Sequence, residues 1–153
     1  MHGYDPTSLG LTCLIQLSTP VRCYVIDVLS SPAIWSAVGS VLTPIFGDSN
    51  IVKIGHGISY DVRALHRDFG VAIVNAFDTH EAAKSLSLPK TGLAHLCEYY
   101  GLSESQEYKR LKEMYQVGDW KLRPLKAEQV LYGAMDVWYL ILLRRLMIRD
   151  VTR

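Results

Sequence analysis

Apolar and polar positions alternate along the chain with two different periods. Leu11 to Ser18 and Cys23 to Val28 are apolar, β-branched runs on either side of Thr19-Pro20. Runs of this kind around a turn dipeptide predict an antiparallel hairpin. Ser31-Pro32 then offers an N-cap and a first-turn proline, and the apolar spacing after it predicts a helix that ends across Pro44 to Gly47.

The middle of the chain repeats a pattern of strand, loop and helix. Ile51–Ile54 predicts a strand that ends at Gly55-His56-Gly57, and the apolar stripe after these glycines predicts a helix. Val71–Phe77 predicts a further strand. Asp78 or Thr79 is then the expected N-cap of the next helix.

The last third of the chain is predicted to be mainly helical. Thr91 is the expected cap of a helix to about Tyr100, whereas the polar residues 101–118 predict a surface loop with some helix. Residues 127–149 contain few helix breakers and predict one long closing helix. This alternation after a hairpin indicates an α/β fold, with a sheet of mixed direction and helices on its faces.

Composition narrows the class of protein. The chain has 153 residues, 49% of them hydrophobic, so a single globular domain is expected. The apolar runs are far shorter than the ~20 residues of a membrane span, and no signal-peptide pattern is present, which predicts an intracellular protein without a membrane partner. Cys13, Cys23 and Cys97 form no C-x-x-C pair, which argues against a disulfide framework or a cysteine zinc site.

Charge is divided unevenly along the chain. Residues 1–83 contain 4 basic and 7 acidic residues, a net −3, whereas residues 84–153 contain 12 basic and 8 acidic residues, a net +4. This division is compatible with an acidic pocket beside a basic surface for a phosphate backbone. It is equally compatible with ordinary surface variation.

Tyr132 and Asp136 are the first candidates for chemistry. They are four residues apart in a predicted helix, so their side chains project from one face about one turn apart. In that arrangement a carboxylate can bind a metal while a phenol positions a water. A core tyrosine followed by a solvated aspartate would give the same pattern.

Three further candidates lie near predicted strand ends. Asp61 lies early in a helix, where the helix dipole alone favours a negative charge. Asp78 follows a strand, and an N-cap explains it without any metal. His56, between two glycines, suits either a phosphate contact or a structural hydrogen bond.

The segment Asp119 to Leu125 places an aromatic residue among cations before the last helix. Trp120 suits base stacking, although packing beneath the helix is the simpler interpretation. Arg123 in the same segment suits a phosphate contact.

Taken together, five segments resemble the exonuclease domain of ribonuclease D and of the exosome-associated nuclear 3′–5′ exoribonucleases, in the DEDDy branch of the superfamily. They are Leu14–Thr19, His56-Gly57 with Asp61, Phe77–Thr79, Asp119-Trp120 with Arg123–Leu125, and Tyr132–Asp136. The likeness runs from Gly10 to Leu143. It implies a ribonuclease H-like fold and a 3′–5′ exonuclease, a hydrolase that releases nucleoside monophosphates, with RNA favoured over DNA.

The resemblance also implies roles for single residues. Asp136 would be a direct metal ligand, Asp61 a ligand acting partly through water, and Tyr132 the residue that orients the attacking water, around two Mg²⁺ or Mn²⁺ ions. His56 and Arg123 would be substrate contacts. The implied partners are a single-stranded 3′ end and an RNA-processing complex, in the nucleus rather than the cytoplasm.

One part of the family pattern is missing from the chain. The family carries an Asp-x-Glu on its first, central strand, and a gap-free match places Met1 where the Glu would stand, with Asp5 in the following loop. We therefore expect a single exonuclease domain over residues 1–153 that is truncated at its amino terminus, lacks this strand and binds metal weakly. The alternative is a relative that has lost catalysis and serves as a non-catalytic RNA- or protein-binding module.

Overall fold

The structure, a computed structural model, describes residues 10–153, so Met1 and Asp5 lie outside the described residues. Between residues 10 and 153 the chain forms four strands and seven helices. Their bounds are β1 Leu14–Ser18, β2 Cys23–Asp27, α1 Pro32–Phe46, β3 Lys53–Gly55, α2 Ser59–Phe69, β4 Ala76–Asp78, α3 Thr79–Ser85, α4 Leu93–Tyr99, α5 Ser105–Tyr115, α6 Ala127–Trp138 and α7 Leu140–Val151.

Strands β1 and β2 form the predicted antiparallel hairpin. Leu14 lies opposite Asp27, and Ser18 lies opposite Cys23. The turn is closed by the Thr19 N–H, which donates to the Arg22 carbonyl over 2.8 Å. The hairpin is confirmed, with β1 beginning later than the apolar run that predicted it.

Helix α1 begins as its sequence predicts. The Ser31 side chain accepts a hydrogen bond from the Ile34 N–H over 3.2 Å, and Pro32 occupies the first turn, where a missing N–H costs nothing. Pro44 does not end the helix, contrary to expectation, because it lies in the last turn, where few hydrogen bonds remain to be lost. Gly47 forms the C-cap.

Strands β3 and β4 form a parallel pair joined through α2. Ile54 lies opposite Phe77, and Gly55 lies opposite Asp78. The strand predicted over residues 71–77 is wrong in its first half. The Val71 N–H donates to the Leu65 carbonyl in α2, and the Val74 N–H donates to the Phe46 carbonyl in α1. These N–H groups therefore bond to helices and are not available to a neighbouring strand.

The two strand pairs are separate sheets within the part of the chain that the structure describes. The predicted sheet of mixed direction is therefore divided into an antiparallel pair and a parallel pair, while the mixed α/β class is confirmed. Helix α6 packs across β1 and β2, and α7 packs on β3 and α3. Side-chain packing on these two helices connects the two pairs.

Three helical predictions need correction. The N-cap of α4 is Gly92 rather than Thr91. The predicted loop over residues 101–118 contains α5, which buries Tyr108 and Leu111 against the core. The long closing helix is interrupted at Tyr139, which separates α6 from α7. For α5 and for the break between α6 and α7, packing against the rest of the protein outweighs the polarity and helix propensity of the local sequence.

The core has two parts. The larger part packs α3 to α7 against β1, and its most deeply buried side chains include Leu14, Leu96, Leu111 and Leu143. The smaller part lies between α1, α2 and the hairpin. None of the helices formed by residues 10–153 is both long and apolar enough to cross a membrane.

Gly39 sets how closely α1 approaches α2. A Cβ atom on Gly39 would lie 2.6 Å from the Phe69 carbonyl oxygen, which is backbone and cannot rotate away. Gly39→Ala should therefore lower the free energy of unfolding by about 1–2 kcal/mol, because the cost of overpacking exceeds the gain in helix propensity. The shift in the urea midpoint measures this loss.

Gly118→Ala is the matched control, since its Cβ would meet nothing closer than the Tyr115 carbonyl oxygen at 4.0 Å. The control should leave the midpoint nearly unchanged. A Gly39→Ala protein as stable as the control would contradict the close contact between the helices.

Candidate active site

Helix α6 carries Tyr132 and Asp136 on one face. Tyr132 is buried, with its ring centroid 6.0 Å from that of Tyr108 and 6.1 Å from that of Trp120, whereas Asp136 is half-buried. Burial, reinforced by the Asp136 carboxylate, raises the pKa of Tyr132 far above its ordinary value. The phenol therefore stays protonated and can donate a hydrogen bond at neutral pH.

Asp136 is held from a second helix. The Tyr108 hydroxyl, on α5, donates to Asp136 Oδ1 over 2.5 Å. Burial, followed by the Asp136 charge, raises the pKa of Tyr108 strongly, so this hydroxyl keeps its proton. The contact joins residues 28 positions apart in the sequence.

His56 is fixed as a neutral imidazole. The Thr79 hydroxyl donates to the Gly55 carbonyl over 3.0 Å, so its oxygen accepts the Nδ1–H of His56 over 2.9 Å. Burial, followed by the neighbouring His80, lowers the pKa of His56 to about 4. The Nε2 atom therefore carries a lone pair rather than a proton at neutral pH.

The charges that act on His56 show what surrounds it. The Asp136 carboxylate on α6 raises the pKa of His56 slightly, and the Lys112 ammonium on α5 lowers it slightly. Because such influences fall off with distance, both charged groups are near enough to His56 to affect its protonation.

Asp78 ties the His56 loop to α3. Its carboxylate accepts hydrogen bonds from the N–H groups of Gly57 over 2.8 Å, Ile58 over 3.0 Å and His80 over 2.8 Å. Burial raises the pKa of Asp78, but these N–H donors outweigh burial and hold it below its usual range. The predicted N-cap is confirmed, and the same side chain also fixes the start of α2.

Asp61 lies in the first turn of α2, half-buried, just after the segment that Asp78 holds. Its position follows from those contacts, since Ile58 immediately precedes the helix. The structure thus places His56 and the start of α2 at one end of β3, and Tyr132 and Asp136 on α6.

Arg123 has a different environment. Its guanidinium forms a bidentate ion pair with Asp27, with distances of 2.6 and 2.8 Å, and donates to the Trp120 carbonyl over 2.7 Å. Trp120 is only 3% exposed, which confirms the packed interpretation. Arg123 therefore anchors the turn before α6 to the end of β2.

The metal-binding capacity of the described residues is limited. Carboxylate oxygens suit Mg²⁺ and Mn²⁺, so Asp61 and Asp136 are the right kind of ligand. Among residues 10–153, however, no three His, Cys, Asp or Glu side chains are grouped to hold an ion. These residues fit part of a metal centre and do not complete one.

The contribution of α5 was missed from the sequence. The charge-rich residues 101–118 predict a surface loop with some helix, without a buried helical face. Tyr108, Leu111 and Tyr115 nevertheless recur at helical spacing, and that stripe would have revealed the buried face of α5. No local signal indicates that Tyr108 contacts Asp136.

The fold and this arrangement define a class of protein. The sequence family described as 3′–5′ exonuclease matches residues 1–151, and the chain belongs to that family. The expected family and its mixed α/β, ribonuclease H-like fold are therefore confirmed.

Relatives give the comparison more detail. Exosome complex component 10 of Mus musculus is 39% identical over 140 residues, which cover 92% of this chain and 14% of that protein. Protein RRP6-like 3 of Arabidopsis thaliana is 39% identical over 134 residues, 87% of this chain and 14% of that protein. The chain thus spans about a seventh of the length of these relatives.

Solved structures agree with this assignment. The catalytic core of RRP6 from Trypanosoma brucei superimposes with a TM-score of 0.75 at 35% identity, over 90% of this chain and 35% of that chain. Escherichia coli RNase D, described as an exoribonuclease involved in structured RNA processing, superimposes with a TM-score of 0.68 at 29% identity, over 92% of this chain and 35% of that chain.

Asp78→Ala should destabilise the protein in a pH-dependent manner. At pH 7 the free energy of unfolding should fall by about 1–3 kcal/mol, because the helix cap and two other N–H partners are lost. The folded-state pKa of Asp78 is depressed, so its stabilisation is complete above the unfolded pKa of ~3.9 and is lost as pH falls through the folded pKa. Urea denaturation at pH 7 and at acid pH should show the difference between the two proteins shrinking.

Asp48→Ala is the control for this change. Asp48 accepts the Asn50 N–H over 2.8 Å in an exposed turn, so its loss should cost clearly less. An equal loss for the two variants would show that Asp78 is no more than an ordinary turn residue.

Proposed function

We propose that this chain carries part of the active site of a 3′–5′ exoribonuclease, which hydrolyses phosphodiester bonds from the 3′ end of single-stranded RNA. The observation that carries the proposal is the pair on α6, a buried protonated tyrosine followed one turn later by a half-buried aspartate. RNA is preferred over DNA because the relative from Escherichia coli is described as an exoribonuclease.

The proposed site assigns a role to each residue. Two Mg²⁺ or Mn²⁺ ions, when bound, would activate a water and stabilise the leaving 3′ oxygen. Asp136 would ligate an ion directly and Asp61 partly through water. Tyr132, which keeps its proton, would hold the attacking water in line through its hydroxyl.

The remaining ligands would come from residues outside the described range. Since residues 10–153 group no three metal ligands, the proposal requires further ligands from outside these residues. The proposed unit is one exonuclease domain that acts within an RNA-processing complex in the nucleus.

The two proposed substrate contacts, His56 and Arg123, differ in how readily their side chains could bind RNA. His56 has an unprotonated Nε2 that suits a hydroxyl or base N–H donor. Arg123 would have to break its ion pair with Asp27 to reach a phosphate. Lys112 is better placed for that purpose.

Lys112 is a further cation that could contact the substrate. It lies on α5 one turn after Tyr108, it is half-buried, and among residues 10–153 its ammonium forms no ion pair or hydrogen bond. Its positive charge acts to lower the pKa of both His56 and Cys97. A phosphate of the bound strand would supply the missing partner.

A second candidate function is a non-catalytic module that binds RNA or a protein. The observation in its favour is that the described residues group too few metal ligands. Such a module would bind RNA in a salt-sensitive manner that divalent metal does not affect.

Asp136→Asn tests the exonuclease directly. The chain, extended by any in-frame residues that its transcript encodes upstream, should shorten 5′-labelled single-stranded RNA in Mn²⁺. The variant should lose more than about 100-fold in rate, because loss of a direct ligand exceeds the 10–100-fold cost of losing an outer partner. Asp48→Asn, in an exposed turn, is the matched control and should retain full activity.

Persistent activity in Asp136→Asn would overturn the assignment of Asp136. If neither the chain nor its extended form degrades RNA but both bind it without metal, the non-catalytic module is the correct function.

Lys112→Ala should weaken RNA binding a few-fold when binding is measured without divalent metal, so that no cleavage occurs. The slope of the logarithm of affinity against the logarithm of salt concentration should become shallower by about 0.7–1, as expected for one lost phosphate contact. Lys84→Ala, an exposed lysine on α3 that pairs with Glu81 over 2.8 Å, is the control and should change the slope less. Equal effects of the two variants would exclude a specific contact by Lys112.

A further inference from the structure

The Asp136 carboxylate is held by a helix other than its own. Asp136 lies on α6, and the Tyr108 hydroxyl on α5 reaches one of its two oxygens at 2.5 Å. Hydrogen bonds to an ionised acceptor are among the shortest and strongest in proteins. This contact therefore restricts the rotation of the carboxylate.

Tyr108 is itself rigidly placed. Its side chain is 2% exposed, and its ring packs against Tyr132 and Tyr139 at centroid distances of 6.0 and 5.6 Å. The phenol has no space to swing away from Asp136 while α5 stays packed on α6.

Helix α5 is also braced to α6 at a second place. Glu128, in the first turn of α6, accepts hydrogen bonds from Arg110 over 3.0 Å and from the Tyr115 hydroxyl over 2.7 Å. Both donors are on α5. The two helices are thus joined at the start of α6 by Glu128 and two turns later by Asp136.

We propose that Tyr108 is a positioning residue that sets the orientation of Asp136 for metal binding. The proposal rests on the exonuclease function proposed above, and it deepens that function by adding a residue from α5 to the site. Ligating carboxylates are commonly oriented by an outer hydrogen bond, and losing that bond weakens metal binding by about 10- to 100-fold. Tyr108 has the geometry for this role, since it donates to one carboxylate oxygen and makes no demand on the other.

Tyr108→Phe is the test, because it removes the hydroxyl and keeps the ring that packs in the core. Mn²⁺ affinity is measured by electron paramagnetic resonance on the chain extended by any in-frame residues that its transcript encodes upstream. In the variant this affinity should fall by about 10- to 100-fold. The rate of RNA hydrolysis at limiting Mn²⁺ should fall in parallel and should recover at high Mn²⁺.

Tyr139→Phe is the matched control. Tyr139 is a buried tyrosine that contacts the same aromatic group, and its hydroxyl donates to the Ser103 carbonyl over 2.9 Å instead of to a carboxylate. Its loss should leave Mn²⁺ affinity unchanged. A fall in affinity in both variants would show a general effect of core damage and would overturn the proposal.

A double variant separates positioning from structure. In the Asp136→Asn background, Tyr108→Phe should cause no further loss of Mn²⁺ affinity, because the group that it orients is already absent. Wild-type affinity in Tyr108→Phe would overturn the role of Tyr108 and leave the exonuclease intact. Absence of Asp136-dependent Mn²⁺ binding in the unmutated protein would instead overturn the proposed function, and this inference with it.

Discussion

The Asp78 carboxylate holds three parts of the backbone in one place. It caps α3, and it accepts the N–H groups of two residues that lead into α2. The loop with His56 and the turn with Asp61 therefore take their positions from a residue that need not touch substrate. Multiple backbone N–H bonds to an ionised carboxylate are strong and directional, so this anion holds the backbone at the β3 end of the site, where Thr79 fixes the His56 ring.

Much of the fold could be predicted because its signals are local. The Ser31 cap, the hairpin turn after Ser18 and the cap at Asp78 each depend on residues within a few positions of one another. The failures occur where distant backbone decides the outcome. Val71 and Val74 are β-branched residues typical of a strand, but their N–H groups donate to carbonyls of α2 and α1. No local sequence pattern predicts these hydrogen bonds.

The candidate site shows the same difference between local and long-range signals. The shared face of Tyr132 and Asp136 could be predicted from their spacing, because a separation of four residues in a helix fixes which side chains project together. The hydroxyl that holds Asp136 could not, because it comes from a helix whose charged surface concealed a narrow apolar stripe. Arg123 shows the converse case, since a conspicuous cation proves to be bound to Asp27, 96 positions earlier in the chain.

The division of the strands into two pairs has a mechanical consequence. A ladder of backbone hydrogen bonds admits only discrete registers, whereas side-chain packing lets surfaces slide by fractions of a residue. Within residues 10–153 no strand ladder joins the two pairs, which are connected by side-chain packing on α6 and α7 and by hydrogen bonds from Thr12, just before β1, to Asp68 in α2. Asp136 belongs to one pair through α6, and His56 and Asp61 belong to the other. The separation of Asp136 from His56 and Asp61 is therefore set by side-chain contacts and not by a strand register.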